Sequence, residues 1–289
     1  MRGVTVVGTD DAVRWQGRVL RLYAPRFVET RPPARLFRYF LPYRDLPVLA
    51  SQLASAAGTA VLLGAGEYHH LSAALLLSLR AGGSRPAVVV FDAHPDWSIA
   101  PVGYLHCGSW LPEVLAMPHV RAVALVGVGS LASRGLLKAP VLHAVVPAAR
   151  SGRLRVYPVL RATAEELRSA GWPGDTLSLE DDQEAVAGDL LEFVRGGPVY
   201  LSIDKDVVRP DELPGNWGDG QIEGDRLLRL VARLASEREL TGADVCGEYA
   251  PRLPLPGADP ALARHQAFNL KLLQRLVSPP GGLSGTIAA

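Results

Sequence analysis

Seven short apolar runs recur along the chain: Val4–Val7, Ala60–Leu63, Ala87–Phe91, Ala122–Val126, Leu154–Tyr157, Val199–Ile203 and Ala243–Cys246. They are rich in β-branched residues and carry no polar face. Runs of this kind suit strands buried on both sides of a parallel sheet. Longer segments rich in Ala, Leu and Arg lie between several of them. Leu71–Arg80, Ala164–Ser169, Asp189–Arg195 and Asp225–Glu237 have helical patterns. The last is the clearest, with Leu227, Leu228, Leu230, Val231 and Leu234 on one stripe and Arg226, Arg229 and Arg233 on the wet side. Alternation of strand and helix predicts βαβ units and an α/β fold with a mostly parallel, doubly wound sheet.

Composition changes this picture little. The chain has 289 residues, of which 48% are hydrophobic, enough for a core of ordinary size. Gly171–Asp182 is turn-rich but short, and neither a repeat nor a linker interrupts the pattern, so residues 1–289 are read as one domain. Thirty basic residues face 29 acidic ones, which gives no electrostatic case for nucleic acid or an anionic membrane. No segment approaches the roughly 18 apolar residues of a membrane span. The N-terminus reads as a first strand rather than a signal peptide. Cys107 and Cys246 are too few for a disulfide framework or a thiolate cage, and they fit two free thiols in a cytoplasmic protein. The tail at 278–285 is Pro- and Gly-rich and is expected to be mobile.

The candidate chemistry sits where strands end. Asp92, His94 and Asp96 follow the Ala87–Phe91 run at spacing i, i+2, i+4. In extended chain, side chains two apart share a face, so three donors converge. Asp204 and Asp206 repeat the arrangement after Val199–Ile203. One such run could be a loop with capping carboxylates. Two are harder to explain without a cation, because crowded carboxylates repel and raise each other's pKa. Hard and borderline donors favour Mn²⁺, with Zn²⁺, Co²⁺ or Fe²⁺ as alternatives. Two divalent ions would balance Asp92, Asp96, Asp204 and Asp206 and could hold a bridging hydroxide as nucleophile. A third element, Gly66-Glu-Tyr-His69-His70, takes a glycine turn into a helix start beside the site. Either histidine could be the ligand.

These motifs resemble those of the ureohydrolase superfamily, which includes arginase and agmatinase. Phe91-Asp-Ala-His-Pro-Asp96 is similar to its Asp-Ala-His-x-Asp motif, and Ser202-Ile-Asp-Lys-Asp206 to its Ser-x-Asp-x-Asp motif. The resemblance implies a three-layer α/β/α sandwich with a binuclear manganese site. It implies His69, Asp92, His94, Asp96, Asp204 and Asp206 as metal ligands. His106, in Tyr104-Leu-His-Cys-Gly, would pass a proton to the departing amine. Glu248, after Asp244-Val-Cys-Gly, would hold a substrate cation through paired hydrogen bonds. Trimers or hexamers are compatible with the resemblance.

The chain also departs from the pattern. Gly-Glu-Tyr-His-His stands where the family has Gly-Gly-Asp-His, and the tandem histidines resemble deacetylase-like relatives, in which His70 would do acid/base work. Asp96, usually lacking in those one-zinc relatives, favours two metals. The loop Pro214-Gly-Asn-Trp-Gly-Asp-Gly-Gln221 replaces a glycine-threonine loop, and Trp217 and Asp219 could alter specificity. The expectation is therefore a hydrolase of a C–N bond in a guanidine- or amidine-type small molecule. A deacetylase-like amidohydrolase and a non-catalytic metal-binding protein are the alternatives.

Overall fold

The computed structural model describes residues 1–131, 135–174, 176–215, 217–249 and 259–277. The first half of the chain forms β1 (Val4–Val7), α1 (Gly17–Tyr23), β2 (Arg26–Val28), β3 (Phe40–Pro42), α2 (Leu46–Leu53), β4 (Ala60–Leu62), α3 (Leu71–Ser78), β5 (Ala87–Phe91), β6 (Tyr104–His106), α4 (Leu111–Ala116) and β7 (Ala122–Val126). Then follow α5 (Ala139–Leu142), α6 (Val146–Arg150), β8 (Leu154–Tyr157), α7 (Arg161–Ser169), α8 (Gln183–Phe193), β9 (Val199–Asp204), α9 (Gly224–Glu237), β10 (Leu240–Cys246) and α10 (Pro260–Leu276). All seven apolar runs are strands, and four of them have the expected limits. The expected tail at 278–285 and Asn216 of the altered loop lie outside the described residues.

Eight strands form one sheet in the order β2-β1-β4-β10-β9-β5-β7-β8, and every pairing is parallel. Alternate residues of one strand enter different cores. Val88 and Val90 join the layer that holds α2, α3 and α4, whereas Ala87, Val89 and Phe91 join the layer that holds α1, α8, α9 and α10. Burial on both faces explains the unbroken apolar runs. The result is the three-layer α/β/α sandwich. A small antiparallel pair, β3 with β6, sits apart and sets Phe40 beside His106. Among the described residues no helix is long and apolar enough to cross a membrane.

Nine elements have no counterpart in the sequence pattern, namely α1, β2, β3, α2, β6, α4, α5, α6 and α10, and for two of them the reason is identifiable. β2 is an edge strand with an exposed and partly buried surface, so it carries no two-sided apolar run. α10 buries His265 and Asn269 among its leucines, which breaks the apolar stripe.

The topology positions the site. The chain leaves β4, skips to β5, runs outward through β7 and β8, and returns to insert β9 and β10 between β5 and β4. Ligand sites in open parallel sheets lie at the carboxyl ends of strands where the order reverses. Here the ends of β4, β10, β9 and β5 are neighbours. Phe91 pairs with Ile203, which brings the next residues, Asp92 and Asp204, side by side. Cys246 pairs with Asp204 on the other side.

Candidate metal centre

Six side chains converge at these strand ends. Asp92, Asp96, Asp204 and Asp206 are buried, as is His69, and His94 is mostly so. His69 Nδ1 lies 3.1 Å from Asp92 Oδ2, 3.1 Å from Asp96 Oδ2 and 3.6 Å from Asp204 Oδ2. His94 Nδ1 lies 2.8 Å from Asp206 Oδ2 and 3.3 Å from Asp92 Oδ1. Among the described residues three donor groups, His69–Asp92–Asp96, Asp92–His94–Asp206 and His69–Asp204–Cys246, each fit within 4.8 Å; Asp92 belongs to the first two and His69 to the first and third.

The other nitrogen of each ring explains the arrangement. His69 Nε2 is 3.0 Å from Ser202 Oγ, whose hydroxyl donates to Asp244 Oδ1 at 2.9 Å. Ser72 donates to the same oxygen. The serine proton is spent on Asp244, so Ser202 accepts from His69 Nε2 and Nδ1 is turned to three carboxylates; burial opposes charge on the ring, but hydrogen bonds to Asp92 and Asp96 hold its pKa well above the usual value. His94 Nε2 likewise meets Asp219 Oδ2 at 3.2 Å, and its Nδ1 faces Asp206 and Asp92. Oriented imidazoles backed by hydroxyl or carboxylate partners are how proteins hold metal-ligating histidines. In each group an imidazole nitrogen and carboxylate oxygens lie close enough to share a proton or, in its place, a divalent cation, so the donor set fits divalent ions.

The electrostatics agree. Burial opposes charge on His94, yet hydrogen bonds to Asp206 and Asp92 raise its pKa to about 12. Burial and the charge of Asp92 push the Asp96 carboxyl up to about 7. Burial and then Asp204 and Asp92 raise that of Asp206. Protons here stand in for the positive charge that the cluster needs. Asp96 has a positive φ of 47°, uncommon for a residue other than glycine, and accepts a hydrogen bond from Trp110 Nε1.

A cavity of about 190 Å³ opens over this cluster, lined also by Pro95, His106, Cys107, Leu136 and Trp217. His106 thus reaches the cavity. Gly108 N–H donates to its Nδ1 at 2.9 Å, its Nε2 lies 3.7 Å from Cys107 Sγ, and burial lowers its pKa below the usual value.

Two expected residues fall elsewhere. His70 begins α3 with its ring fully buried, outside the cavity lining, and burial holds its pKa down to about 3. His69, one residue earlier, takes the site because the helical turn sends consecutive side chains in different directions. The two rings therefore do not face the cavity together. Glu248 is also withdrawn. Gly247 turns through a positive φ of 73°, and the Glu248 carboxylate meets Lys205 Nζ at 2.7 Å rather than the cavity. The sequence reading missed Trp110, Lys205, His265, Asn269 and Gln16. For Ser202 a signal existed, since it stands two residues before Asp204 and shares its face.

No protein-family model matches the chain. An uncharacterized protein of Thermotoga maritima is 28% identical over 215 residues, covering 74% of this chain and 68% of its own. Among solved structures, proclavaminate amidino hydrolase from Streptomyces clavuligerus superposes with a TM-score of 0.60 at 21% identity, covering 96% of this chain and 92% of that one. Arginase from Bacillus caldovelox gives 0.58 at 17% identity, with 94% and 98% coverage. A formiminoglutamase variant from Trypanosoma cruzi with Mn²⁺ gives 0.57 at 11%, with 95% and 93% coverage. The fold is therefore the arginase-like α/β fold. The resemblance drawn from the motifs agrees with these structures in fold, and identities of 11% to 21% carry the likeness no further than the fold.

Proposed function

We propose that the protein is a manganese-dependent hydrolase that cleaves a C–N bond in a small guanidine- or amidine-type molecule. The observation that carries this reading is the pair of imidazole Nδ1 atoms turned into four buried carboxylates beside an accessible cavity. His69, Asp92, Asp96 and Asp204 would hold one ion, and Asp92, His94 and Asp206 a second. Oxygen-rich ligands with two imidazoles suit Mn²⁺, and the formiminoglutamase named above carries that ion. Such ions would supply hydroxide at neutral pH and polarise the attacked group.

The chain's own residues do the rest. Ser202 and Asp219 keep His69 and His94 in the ligating orientation. His106, in the cavity wall, assists the departing nitrogen. Pro95, Leu136 and Trp217 exclude water from the bound molecule.

Metal analysis with a turnover assay tests the reading. The manganese-reconstituted protein is expected to hold two ions per chain and to release urea, ammonia or amine from a guanidine and amidine panel that includes acylated members. Asp92→Asn and Asp204→Asn should lose metal and turnover together. Full activity in a variant that binds no metal would sink the proposal.

A further inference from the structure

Behind the cavity lies a second charged cluster that the hydrolase reading does not use. Lys205 Nζ is 2.7 Å from Glu248 Oε2, 3.1 Å from His265 Nδ1 and 3.0 Å from Asn269 Oδ1. Gln16 Nε2 and Asn269 Nδ2 each donate to the Glu248 carboxylate at 2.7 Å. Both charged side chains are 0% exposed. His265 Nε2 bonds the Pro214 carbonyl at 2.9 Å, so its Nδ1 is left as an acceptor for Lys205. The network is closed, and another cation could reach Glu248 only by displacing Lys205.

Its origin is local geometry. Alternation at the end of β9 sends Asp204 toward the metal cluster and Lys205 toward α10 on the opposite face. Gly247 lets Glu248 follow Lys205. A Cβ at Gly247 would lie 2.3 Å from Asp204 Oδ1, so no side chain fits on the cavity side of that position. Trp217 completes the separation. A small space of about 10 Å³ beside Glu248 shares only Gly66, Asp206 and Trp217 with the main cavity. A Cβ on Gly66 would meet the Trp217 ring at 3.2 Å, which shows how closely the indole is packed there.

The remaining carboxylates near the cavity are engaged as well. Asp219 bonds His94, and Glu67 pairs with Arg38 at 3.1 Å. Beyond the ligand cluster and His106, the wall is largely apolar, with Pro95, Leu136 and Trp217. The four aspartates would balance two divalent ions, so an organic cation entering here would lose its hydration with, among the described residues, no carboxylate of the wall left to pair with it.

We infer that Lys205 is a specificity-determining residue: it is the built-in counter-ion of Glu248, so the cavity takes a planar C–N group that carries no charge, attached to an apolar side group. This rests on the hydrolase reading and narrows its substrates to uncharged members, namely acylated guanidines or amidines and their oxygen counterparts, the ureides. Guanidinium and amidinium cations are disfavoured.

Benzylurea and benzylguanidine make a matched test, since oxygen in one replaces the cationic nitrogen group in the other. In each, water adds to the planar carbon and the bond to the benzylamine nitrogen breaks. The products are benzylamine with carbamic acid from the first and with urea from the second, so one amine assay reads both. The manganese-loaded wild type is expected to favour benzylurea in kcat/KM by about tenfold or more. Calorimetric binding of the same pair should show the same order, and it reads the inference even without turnover. Lys205→Met, which frees the carboxylate, should shift the preference toward benzylguanidine by a similar factor. The double variant Lys205→Met/Glu248→Gln should keep the wild-type order. Equal or tighter binding of benzylguanidine by the wild type overturns the inference, as does a Lys205→Met variant that folds with an unchanged preference. Should Lys205→Met fail to fold, the wild-type pair still decides. Failure of the two-ion protein to hydrolyse this pair and the wider panel would overturn the hydrolase reading, whereas the order of binding bears on Lys205 alone.

Discussion

Gly247 carries a backbone angle on which two separate clusters depend. Its φ of 73° turns Glu248 away from the cavity, and its missing side chain leaves room for Asp204. Glycine adopts this conformation without steric cost, whereas alanine does not. Gly247→Ala is therefore expected to cost about 1 kcal/mol or more in stability. It should also weaken manganese binding by about tenfold or more, as disturbed ligand orientation does elsewhere. Thermal unfolding with a manganese titration checks both effects, and unchanged metal affinity would contradict the account of Asp204. The choice between His69 and His70 is made at the same scale. One step along a helical turn separates a ring held by Ser202 over the carboxylates from a ring buried outside the cavity.

Among the elements, α10 has an unusual task. It packs against α9 and α1 through leucines, yet it also delivers His265 and Asn269 to Lys205 and Glu248. Those two residues are spaced i, i+4 and so share one face. The helix begins with a well-formed cap. Asp259 accepts hydrogen bonds from Ala261 N at 2.9 Å and Leu262 N at 3.4 Å, and Pro260 occupies the first turn, where its missing N–H costs nothing. Asp259→Ala should lower stability by about 1 kcal/mol in denaturant unfolding. A neutral effect would mean that packing alone sets the start of α10. His265 also ties the helix to the Pro214 carbonyl, and thereby to the loop that carries Trp217 and Asp219.

Across the whole molecule, acid stability should report the buried ion pair. Burial alone would raise the Glu248 pKa, but the charge of Lys205 holds it down to about 2, against 4.5 ordinarily. A carboxylate depressed in this way contributes stability above its unfolded pKa and loses it as pH falls through the folded value. The shift corresponds to about 3 kcal/mol, lost between roughly pH 5 and pH 2. Unfolding free energies measured across that window should fall more steeply for the wild type than for Lys205→Met/Glu248→Gln, by about that amount. Parallel curves would show that the pair does not govern the acid limb. The pair's net worth at neutral pH is a separate matter, because desolvation offsets much of the attraction between buried charges.

What the amino-acid sequence determined by itself was local and periodic. Two-sided burial made seven strands legible as apolar runs, and the spacing of Asp92, Asp96, Asp204 and Asp206 marked two strand ends, although the chain leaves the extended form there, at Asp96 with its φ of 47° and in the tight turn Lys205–Val207. The amphipathic stripe did the same for α9. The features that only the tertiary structure decided depend on partners distant along the chain or on a single dihedral angle. Gln16 reaches Glu248 across 232 residues. α10 hides behind two polar residues whose burial makes sense only once Lys205 is in place. Glu248, a strand-end carboxylate by its position, became the partner of an internal lysine because Gly247 turned it there and because a buried carboxylate takes the nearest cation with which it can share hydrogen bonds.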